Sequence, residues 1–477
     1  MFKHINYKVL SFWIISFSIL TILTLPVLIQ DGMFMDAVQY TAISRNMSIG
    51  FGNFWYPQLS YLNVAELPAF HEQPPLGFGI MAIFFKIFGD NPYVERFFVF
   101  LTLIISALLI AFLWKNIFRN DDSVKKLAWF PIVLWIIIPV CFWSFRNNVL
   151  ENTMNIFTLL AVLFIYRYLS LENHNVFNMI TGSVFIFCAA MTKGLPGLFP
   201  LALPFLYFVS TKRIKFRRMF LSSLIILTTL IVLFLLMFII FPESKDSLSV
   251  YFLKRVLYRI DNDPTVQSRF YILGRLFLEL LPLIIISTLT YLISRKKSFI
   301  TPDKEKKSEI LLWTFVGLSG SLPMMLTPVQ KGFYLVPALA YFAIAAAIFN
   351  AGPIENFFGK IHQKYHKKIF ILSLILFISV YIFSFLQIGK TSRDKEILED
   401  IYIIGEQIPR QSIVTTTPEL WQNWNVQCYF MRYFIISLDP GTEYDYFVAP
   451  KNEKINPKYT KINLTTSKLD LYRKKLD

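Results

Sequence analysis

The stretch "VLSFWIISFSILTILTLPVLIQ" (Val9 to Gln30) decides the fold class of this chain. It is almost wholly apolar, and about 20 such residues are enough for a helix to cross a bilayer. The run is longer than the apolar part of a typical signal peptide, and it lacks a small-residue cleavage site, so we interpret it as a retained anchor. Similar runs recur as far as about residue 390. The sequence therefore predicts an all-α polytopic membrane protein.

Composition supports the same class. Of 477 residues, 55% are hydrophobic, and the mean hydropathy is +0.51, so most of the mass is expected in lipid. The net charge of +16 is explained by positively charged cytoplasmic loops, and we expect no nucleic-acid partner. The three cysteines, Cys141, Cys188 and Cys428, have the spacing of neither a disulfide framework nor a zinc site.

The apolar runs predict eleven spans, within a range of about eleven to thirteen transmembrane helices. The run "PPLGFGIMAIFFKIFG" (Pro74 to Gly89) is short for a span, and we expect it to be re-entrant or interfacial. With this run left out, all the strongly basic loops fall on one side, which places the N-terminus in the cytoplasm and the C-terminal tail outside. The predicted spans lie near 9–30, 95–116, 128–145, 148–168, 176–192, 194–210, 219–241, 270–293, 309–328, 332–350 and 369–388.

Two domains are predicted. Residues 1–388 form a transmembrane domain with outer loops 31–94 and 242–269, and residues 389–477 form a small α/β domain on the outer face. In this tail, "RDKEILEDIYIIGEQI" and "PELWQNWNVQCYFMRYF" favour helices, whereas "SIVTTT" and "FIISLD" favour strands. A scaffold cap and a contact with the acceptor are both open roles for it.

The stretch "DGMFMDAVQYTAISRNM" (Asp31 to Met47) follows the first apolar run. Its apolar residues recur at helical spacing from Asp36 onward, which predicts a helix lying on the membrane. Asp36 would lie at the start of this helix, where a carboxylate is favoured either as an ordinary cap or as a functional group. In "FHEQPPLG", His71 and Glu72 could ligate a divalent metal, although two neighbouring ligands alone are a weak signal.

Further polar residues gather at the outer ends of predicted spans. "FRNNVLENTMN" carries Arg146 and Glu151, and ionisable groups near membrane depth usually line a cavity. Lys193, Arg259 and Lys331 lie on the side where bases are scarce. Headgroup contact by long side chains is one interpretation, and binding of a lipid phosphate is the other. Acids beside bases at this boundary suit group transfer from a phosphate-linked lipid.

These motifs resemble those of the GT-C class of polyprenyl-phosphate-sugar glycosyltransferases, which includes the lipid A aminoarabinose transferases and the protein O-mannosyltransferases. The family pattern D-E-x-x-Y-x-x-I-x-R-x-M is similar to Asp36 through Met47, with Ala37 in place of the second acid. E-K-P-P-L corresponds to Glu72 through Leu76, with Gln73 in place of the lysine.

The remaining motifs follow in the family order over about the first 350 residues. R-x-x-x-L-D corresponds to Arg146 through Glu151, with glutamate for aspartate, and T-K-G corresponds to Thr192 through Gly194. K-x-x-x-Y-x-x-P resembles Lys331 through Pro337, with one residue fewer before Tyr334. The C-terminal domain is not covered.

The resemblance implies inverting transfer of a sugar from a polyprenyl phosphate, such as undecaprenyl phosphate, in the bacterial cytoplasmic membrane. The acceptor would be a hydroxyl or phosphate of a lipid, a glycan or a protein. It implies Asp36 and Glu151 as catalytic residues. Contacts to the donor or its phosphate are implied for Tyr40, Arg45, Glu72, Arg146, Lys193, Lys331 and Tyr334. Arg259 is added from its place among the outer bases, where it would converge on the same phosphate.

Two other functions are compatible with the sequence. A transporter or flippase of lipid-linked sugars would also carry charges at span ends, but we find no inverted repeat. A receptor-like anchor for the C-terminal domain would leave the polar segment "RNNVLEN" without a role. No cofactor is required by the motifs, apart from the possible metal at His71 and Glu72.

Overall fold

The computed structural model describes residues 6–62, 69–172, 174–260, 262, 264–295 and 302–475. The chain divides into two compact units. We call Met1–Pro26, Val99–Arg146 and Leu150–Leu386 the helical unit, and Val27–Phe98, Asn147–Val149 and Gln387–Asp477 the mixed unit. The mixed unit thus combines the C-terminal tail with the predicted first outer loop. The sequence-based division at residue 388 places these two segments in different domains.

The helical unit contains long apolar helices and several short ones. They are α1 (Tyr7–Leu28), α4 (Pro92–Ile117), α5 (Asp122–Lys125), α6 (Phe130–Ile136), α7 (Pro139–Ser144), α8 (Leu150–Ser170), α9 (Val176–Lys193), α10 (Leu203–Thr211), α11 (Phe216–Ile240), α12 (Glu243–Tyr251), α13 (Tyr271–Arg295), α14 (Lys304–Ser321), α15 (Val336–Lys360) and α16 (His366–Phe385). Shorter turns are Leu195–Ala202, Phe252–Leu257, Tyr258–Ile260, Leu322–Leu326, Gly332–Leu335 and Gln363–Tyr365.

Within the described ranges, nine helical segments are long and apolar enough to cross a membrane. The predicted spans 128–145 and 194–210 are not single long helices. The first is divided into α6 and α7 just before Pro139, and the second begins as a 3-10 helix that contains Pro196 and Pro200. Proline lacks the amide hydrogen that a helix interior needs and disfavours helical geometry in the preceding residue. The polytopic helical class is confirmed.

The mixed unit contains helices α2 (Met35–Ser48), α3 (Leu76–Phe88), α17 (Lys395–Gly405), α18 (Pro418–Gln422) and α19 (Trp424–Phe434). At about 1.5 Å per residue, α3 is too short to span a bilayer alone, which agrees with the predicted juxtamembrane segment. Its five strands are β1 (Ile413–Thr416), β2 (Ser437–Asp439), β3 (Tyr446–Pro450), β4 (Tyr459–Ile462) and β5 (Leu469–Lys474).

The strands form one sheet in the order β2-β1-β3-β5-β4. Strand β1 pairs in parallel with β2 and β3, and β5 pairs antiparallel with β3 and β4. The small C-terminal α/β region is confirmed, including its first two strands and the helices between and before them. The last three strands were not predicted from the sequence.

Helix α2 differs from its prediction as a surface helix. All ten residues from Ala37 to Asn46 are buried, because α3 and α19 pack against the helix. Polar side chains of this helix also bond inside the protein, as when the Asn46 Nδ2 donates to the carbonyl of Gln58 at 3.0 Å. The apolar residues that recur along α2 therefore form only one of its packed faces. The opposite face is also covered by protein.

Candidate active-site residues in the two units

The helical unit holds a buried ion pair between two predicted site residues. Lys193 is the last residue of α9 and Glu151 lies in the first turn of α8. The Lys193 Nζ lies 3.0 Å from Glu151 Oε1, and their side chains are only 6% and 1% exposed. A cation at the end of one helix and an anion at the start of another are each favoured by the helix dipole. The two charges therefore stabilise each other where solvent does not screen them.

Tyr334 lies beside this pair. The Lys193 Nζ is 5.4 Å from the centre of the Tyr334 ring, within the range of a cation–π interaction. The neighbouring Phe333 stacks on Trp143 with ring centres 5.6 Å apart, which fixes the turn Gly332–Leu335 before α15 begins. Glu151, Lys193 and Tyr334, predicted from three separate motifs, are thus brought together.

Arg259 is connected to the same region through Tyr251. The Tyr251 hydroxyl packs against Gly194, so closely that a side chain there would collide with it, and it hydrogen-bonds the backbone of Leu195. Burial raises the pKa of Tyr251 to about 12, opposed by the positive charge of Arg259 and by the bond to Leu195. The segment that contains α12 therefore contacts the Thr192-Lys193-Gly194 turn through Tyr251, an aromatic residue that no sequence motif marks.

Two predicted cations have other surroundings. The Arg146 Nε donates to the Leu23 carbonyl at 2.7 Å, and its guanidinium lies 4.7 Å from the centre of the Phe142 ring. Lys331 precedes the turn Gly332–Leu335 and is exposed. The contacts described for Arg146 fix it to the end of α1, and its predicted phosphate contact stays a prediction.

In the mixed unit, α2 begins at Met35, and Phe34 occupies the capping position. Asp36 is therefore a first-turn residue, still favoured by the helix dipole, and the interpretation as the cap itself is wrong. Asp36 is partly exposed. It lies close enough to α19 to affect Cys428: burial raises the pKa of the Cys428 thiol most, and the negative charge of Asp36 raises it further. One turn later, Tyr40 is buried with its ring centre 5.7 Å from that of Phe78.

The asparagines of the segment "RNNVLEN" hold this end of α2. The Phe34 amide donates to Asn147 Oδ1 at 2.8 Å. The Asn148 Nδ2 donates to Thr41 Oγ1 at 2.8 Å. These two bonds fix the backbone and the first turns of the helix that carries Asp36, so the segment has a positioning role that its sequence did not indicate.

Arg45 has no exposed surface. Its Nη1 lies 3.2 Å from Asp90 Oδ2, and its Nη2 donates to the Met431 carbonyl. Arg432 shares Asp90 at 2.6 Å and also pairs with Glu95 at 2.9 Å. Burial lowers the pKa of Arg45 to about 10. These contacts give Arg45 a role in the packing of α2 against α19, and its predicted donor contact stays a prediction.

Comparison with known proteins identifies the architecture. The sequence model of the dolichyl-phosphate-mannose-protein mannosyltransferase family matches residues 72–241. ArnT from Cupriavidus metallidurans, solved bound to undecaprenyl phosphate, superposes with a TM-score of 0.62 at 13% identity, covering 97% of this chain and 96% of that one. Its apo structure gives a TM-score of 0.63 with the same identity and coverage. Among curated proteins, none matches the sequence significantly.

The chain has the polytopic GT-C fold. The matched range 72–241 contains Glu72, Arg146, Glu151 and Lys193. It ends before Lys331 and Tyr334, which rest on motif order alone, and before Arg259, which lies in no family motif. The structural match is at low sequence identity and therefore supports the architecture only.

In this GT-C fold, His71 and Glu72 lie in the turn before α3. His71 is 2% exposed, and burial lowers its pKa to about 4. A neutral imidazole suits either metal ligation or packing, and its ring lies edge-on to Tyr56 with centres 5.7 Å apart. Within the described ranges, no three His, Cys, Asp or Glu side chains group as a metal site, so a metal here stays a hypothesis.

Sequence reasoning missed a second ion pair in the helical unit, between a partly exposed arginine and a buried glutamate. The Arg275 Nη2 lies 2.6 Å from Glu279 Oε1, and Glu279 Oε2 accepts the Val140 amide at 2.7 Å. Arg275 also packs against Gly332, next to Lys331. The signal was available, because "RLFLE" puts opposite charges at positions i and i+4 inside an apolar span, where ionisable groups usually have a structural or functional partner.

It also missed the part played by Asp31 in the mixed unit. The Asp31 carboxylate accepts hydrogen bonds from the hydroxyls of Tyr402 and Tyr433, both at 2.6 Å, and pairs with Arg96 at 3.2 Å. The sequence marked Asp31 only as the membrane exit. Its partners lie 371 and 402 residues away along the chain for the two tyrosines, so no local pattern could indicate them.

Proposed function

We propose that this chain is a membrane glycosyltransferase that moves a sugar from a polyprenyl phosphate donor to an acceptor hydroxyl or phosphate. The observation that carries the proposal is the buried Glu151–Lys193 pair with Tyr334 beside it, assembled from three motifs of the predicted family. The GT-C fold and the family match over residues 72–241 support it. ArnT, the similar structure, binds undecaprenyl phosphate, and we propose a donor of that chemistry here.

The proposed chemistry needs a proton acceptor and a stabilised leaving group. Asp36, partly exposed at the start of α2, would accept the proton of the acceptor hydroxyl or orient that hydroxyl. The ammonium group of Lys193 would compensate the negative charge that develops on the leaving phosphate. Glu151 would then hold Lys193 in position, because the two groups are already in contact at 3.0 Å.

The test is transfer in proteoliposomes. We expect wild type to convert a polyprenyl-phosphate sugar into glycosylated acceptor, detected by mass spectrometry, and Asp36→Asn to keep expression and donor binding while losing at least 100-fold in turnover, as is usual when a general base is removed (~10²–10⁴). The matched control is Glu399→Gln on the exposed face of α17, which should retain wild-type turnover. Wild-type turnover in Asp36→Asn would contradict the assignment.

The same preparation distinguishes the transporter alternative. Movement of the lipid-linked sugar across the bilayer without any glycosylated product would favour a flippase. Mass spectrometry of envelope lipids, glycans and proteins from cells with and without the gene would identify the sugar and acceptor.

We also propose a location and an orientation. The basic loops assign the N-terminus to the cytoplasm and the tail from residue 389 to the outer side of a bacterial cytoplasmic membrane. Reporter fusions at the two termini should give opposite compartments. The same compartment for both would contradict the span arrangement.

A further inference from the structure

The helical unit contains a cavity of about 980 Å³ on the side that carries the basic loops. It lies among the ends of α4, α8, α10, α11 and α14, away from the Glu151–Lys193 pair, which lies at the opposite end of α8. This volume is at the upper end of the range for small-molecule sites (~300–1,000 Å³). The proposed transfer reaction gives this cavity no role.

Two arginines on its wall are anchored to one turn of α8. The Arg119 Nη2 donates to the Ser170 carbonyl at 2.6 Å, and its Nη1 donates to Ser170 Oγ at 3.3 Å. The Arg218 Nη2 donates to the Tyr168 carbonyl at 3.4 Å, with its guanidinium 5.2 Å from the centre of the Tyr168 ring. Their anchors are only two residues apart in sequence, so both positive charges are held at one end of α8.

Five acids lie on the cavity wall, and four of them are engaged by other groups, including Glu305, which lies 3.5 Å from Arg213. The fifth, Glu172, is an exposed residue just after α8. Glu309, 4% exposed, pairs with Arg213 at 2.9 Å and also accepts hydrogen bonds from Tyr166 and Trp313. The side chains of Asp121 and Asp303 cap α5 and α14, because each accepts a hydrogen bond from a backbone amide in the first turn of its helix. Among the described residues, no carboxylate lies within ion-pair distance of Arg119 or Arg218. The two guanidinium groups therefore leave an excess of positive charge at this wall.

Arg218 also has an unused donor. Its Nε is buried and has no hydrogen-bond acceptor in the part of the chain that the structure describes. An unmade hydrogen bond of a charged group is costly, so an acceptor supplied from outside the chain fits this position. Phosphate is the anion whose several oxygens match guanidinium forks.

We propose that this cavity binds a phosphate-bearing anion, held by Arg119 and Arg218. The volume leaves space for a headgroup attached to the phosphate. The cavity wall also includes Leu221, 43% exposed on α11. An apolar residue there suits a membrane lipid, while inorganic phosphate or a nucleotide would present the same phosphate chemistry.

The test uses the purified full-length chain in two arms. In the lipid arm, native mass spectrometry counts phospholipids that stay bound after detergent exchange. In the soluble arm, calorimetry measures binding of inorganic phosphate and of a nucleoside diphosphate to delipidated protein. We expect Arg119→Gln/Arg218→Gln to weaken binding at least tenfold in the arm that carries the ligand.

The matched control removes two cations from the same side outside the cavity. Lys367→Gln/Lys368→Gln alters exposed residues at the start of α16 and should bind like wild type. Since Arg119 and Arg218 also satisfy carbonyls of α8, a second variant, Leu221→Trp, narrows the cavity without removing a charge and should weaken binding too.

Retention in the lipid arm identifies a lipid phosphate, and binding only in the soluble arm identifies a free phosphate compound. The proposal is overturned if neither arm detects binding to wild type. It is equally overturned if the double arginine variant and Leu221→Trp, both folded, bind as wild type does.

Discussion

The Lys193–Glu151 pair is the residue-scale feature with the clearest energetic consequence. Both charges are almost completely enclosed at 3.0 Å, so removing one leaves the other buried without compensation. We expect Lys193→Met or Glu151→Gln alone to destabilise the protein by about 3–5 kcal/mol. The double variant should cost less than the sum of the two, because neither charge is then left alone.

Thermal unfolding in detergent measures this coupling. The exposed pair of Lys395 and Glu399, 3.8 Å apart on α17, is the control, and its coupling should be only about 0.2–1 kcal/mol. Additive losses at Lys193 and Glu151 would show that the ion pair contributes nothing to folding.

Asp31 gives a prediction about pH. Burial alone would raise its pKa, but the hydrogen bonds from Tyr402 and Tyr433, the charge of Arg96 and the Gly32 amide together hold the pKa below its usual value. A carboxylate with a lowered folded-state pKa adds stability above its unfolded pKa of about 3.9, and this stability is lost as the pH falls through the folded value.

Asp31→Asn should therefore lower the stability of the protein by about 1–3 kcal/mol at pH 6, and the gap to wild type should narrow below about pH 4. Unfolding midpoints of both proteins across this range measure the gap. A gap that stays constant down to pH 3 would contradict a role for the charge.

At this scale, the sequence identified groups better than it identified their roles. Glu151 and Lys193 were found because each lies at the end of a predicted span, a local signal, whereas Tyr334 was indicated by the family motif alone. Arg45 looks the same in sequence whether it binds a phosphate or packs inside the protein. Its acceptor, the Met431 carbonyl, is 386 residues away, so the sequence could not indicate the packing role.

At the scale of an element, the turn after α9 is constrained on both sides. Gly194 has φ +77° and ψ −141°, a conformation that only glycine adopts without strain, and the Tyr251 hydroxyl occupies the space of any side chain. We expect Gly194→Ala to destabilise the protein by more than the ~1–3 kcal/mol of backbone strain alone, since Tyr251 must also move.

In a Tyr251→Ala background, the cost of Gly194→Ala should fall toward the backbone strain alone, and unfolding midpoints of the four proteins give this comparison. Gly359→Ala in α15 is the control, because open space surrounds that position, and it should be neutral or stabilising by up to ~1 kcal/mol. An equal cost of Gly194→Ala in both backgrounds would show that Tyr251 does not confine the turn.

Element prediction succeeded where one signal dominated. Long apolar runs such as Tyr7–Leu28 and Phe216–Ile240 form single helices as expected. The segment 128–145 was assigned as one span because hydropathy does not register Pro139. The burial of both faces of α2 could not be predicted, because the covering helix α19 comes from the far end of the chain.

At the scale of the whole molecule, the tail from Gln387 is part of the unit that encloses α2. A chain that stops after Leu386 lacks α19 and the Arg432–Asp90 and Arg432–Glu95 pairs. We expect limited proteolysis to cut residues 35–48 rapidly in the truncated protein and slowly in the complete one, because ten consecutive residues of α2 lose their cover.

The full-length variant Arg432→Gln is the intermediate case. It keeps the packing of α19 but removes both ion pairs, so its rate of cutting should lie between the other two. Equal protection of α2 in the truncated and complete chains would show that the tail is dispensable for folding of the first outer loop.

The hydrogen bond between Arg45 and the Met431 carbonyl can form only late in biosynthesis. The acceptor is translated 386 residues after the donor, which at about 5–20 residues per second is roughly 20–80 s. Throughout that interval α2 has left the ribosome without the helix that covers it. A nascent chain of this protein must therefore keep the segment that contains α2 from aggregating until α19 is made, a task suited to a chaperone at the membrane.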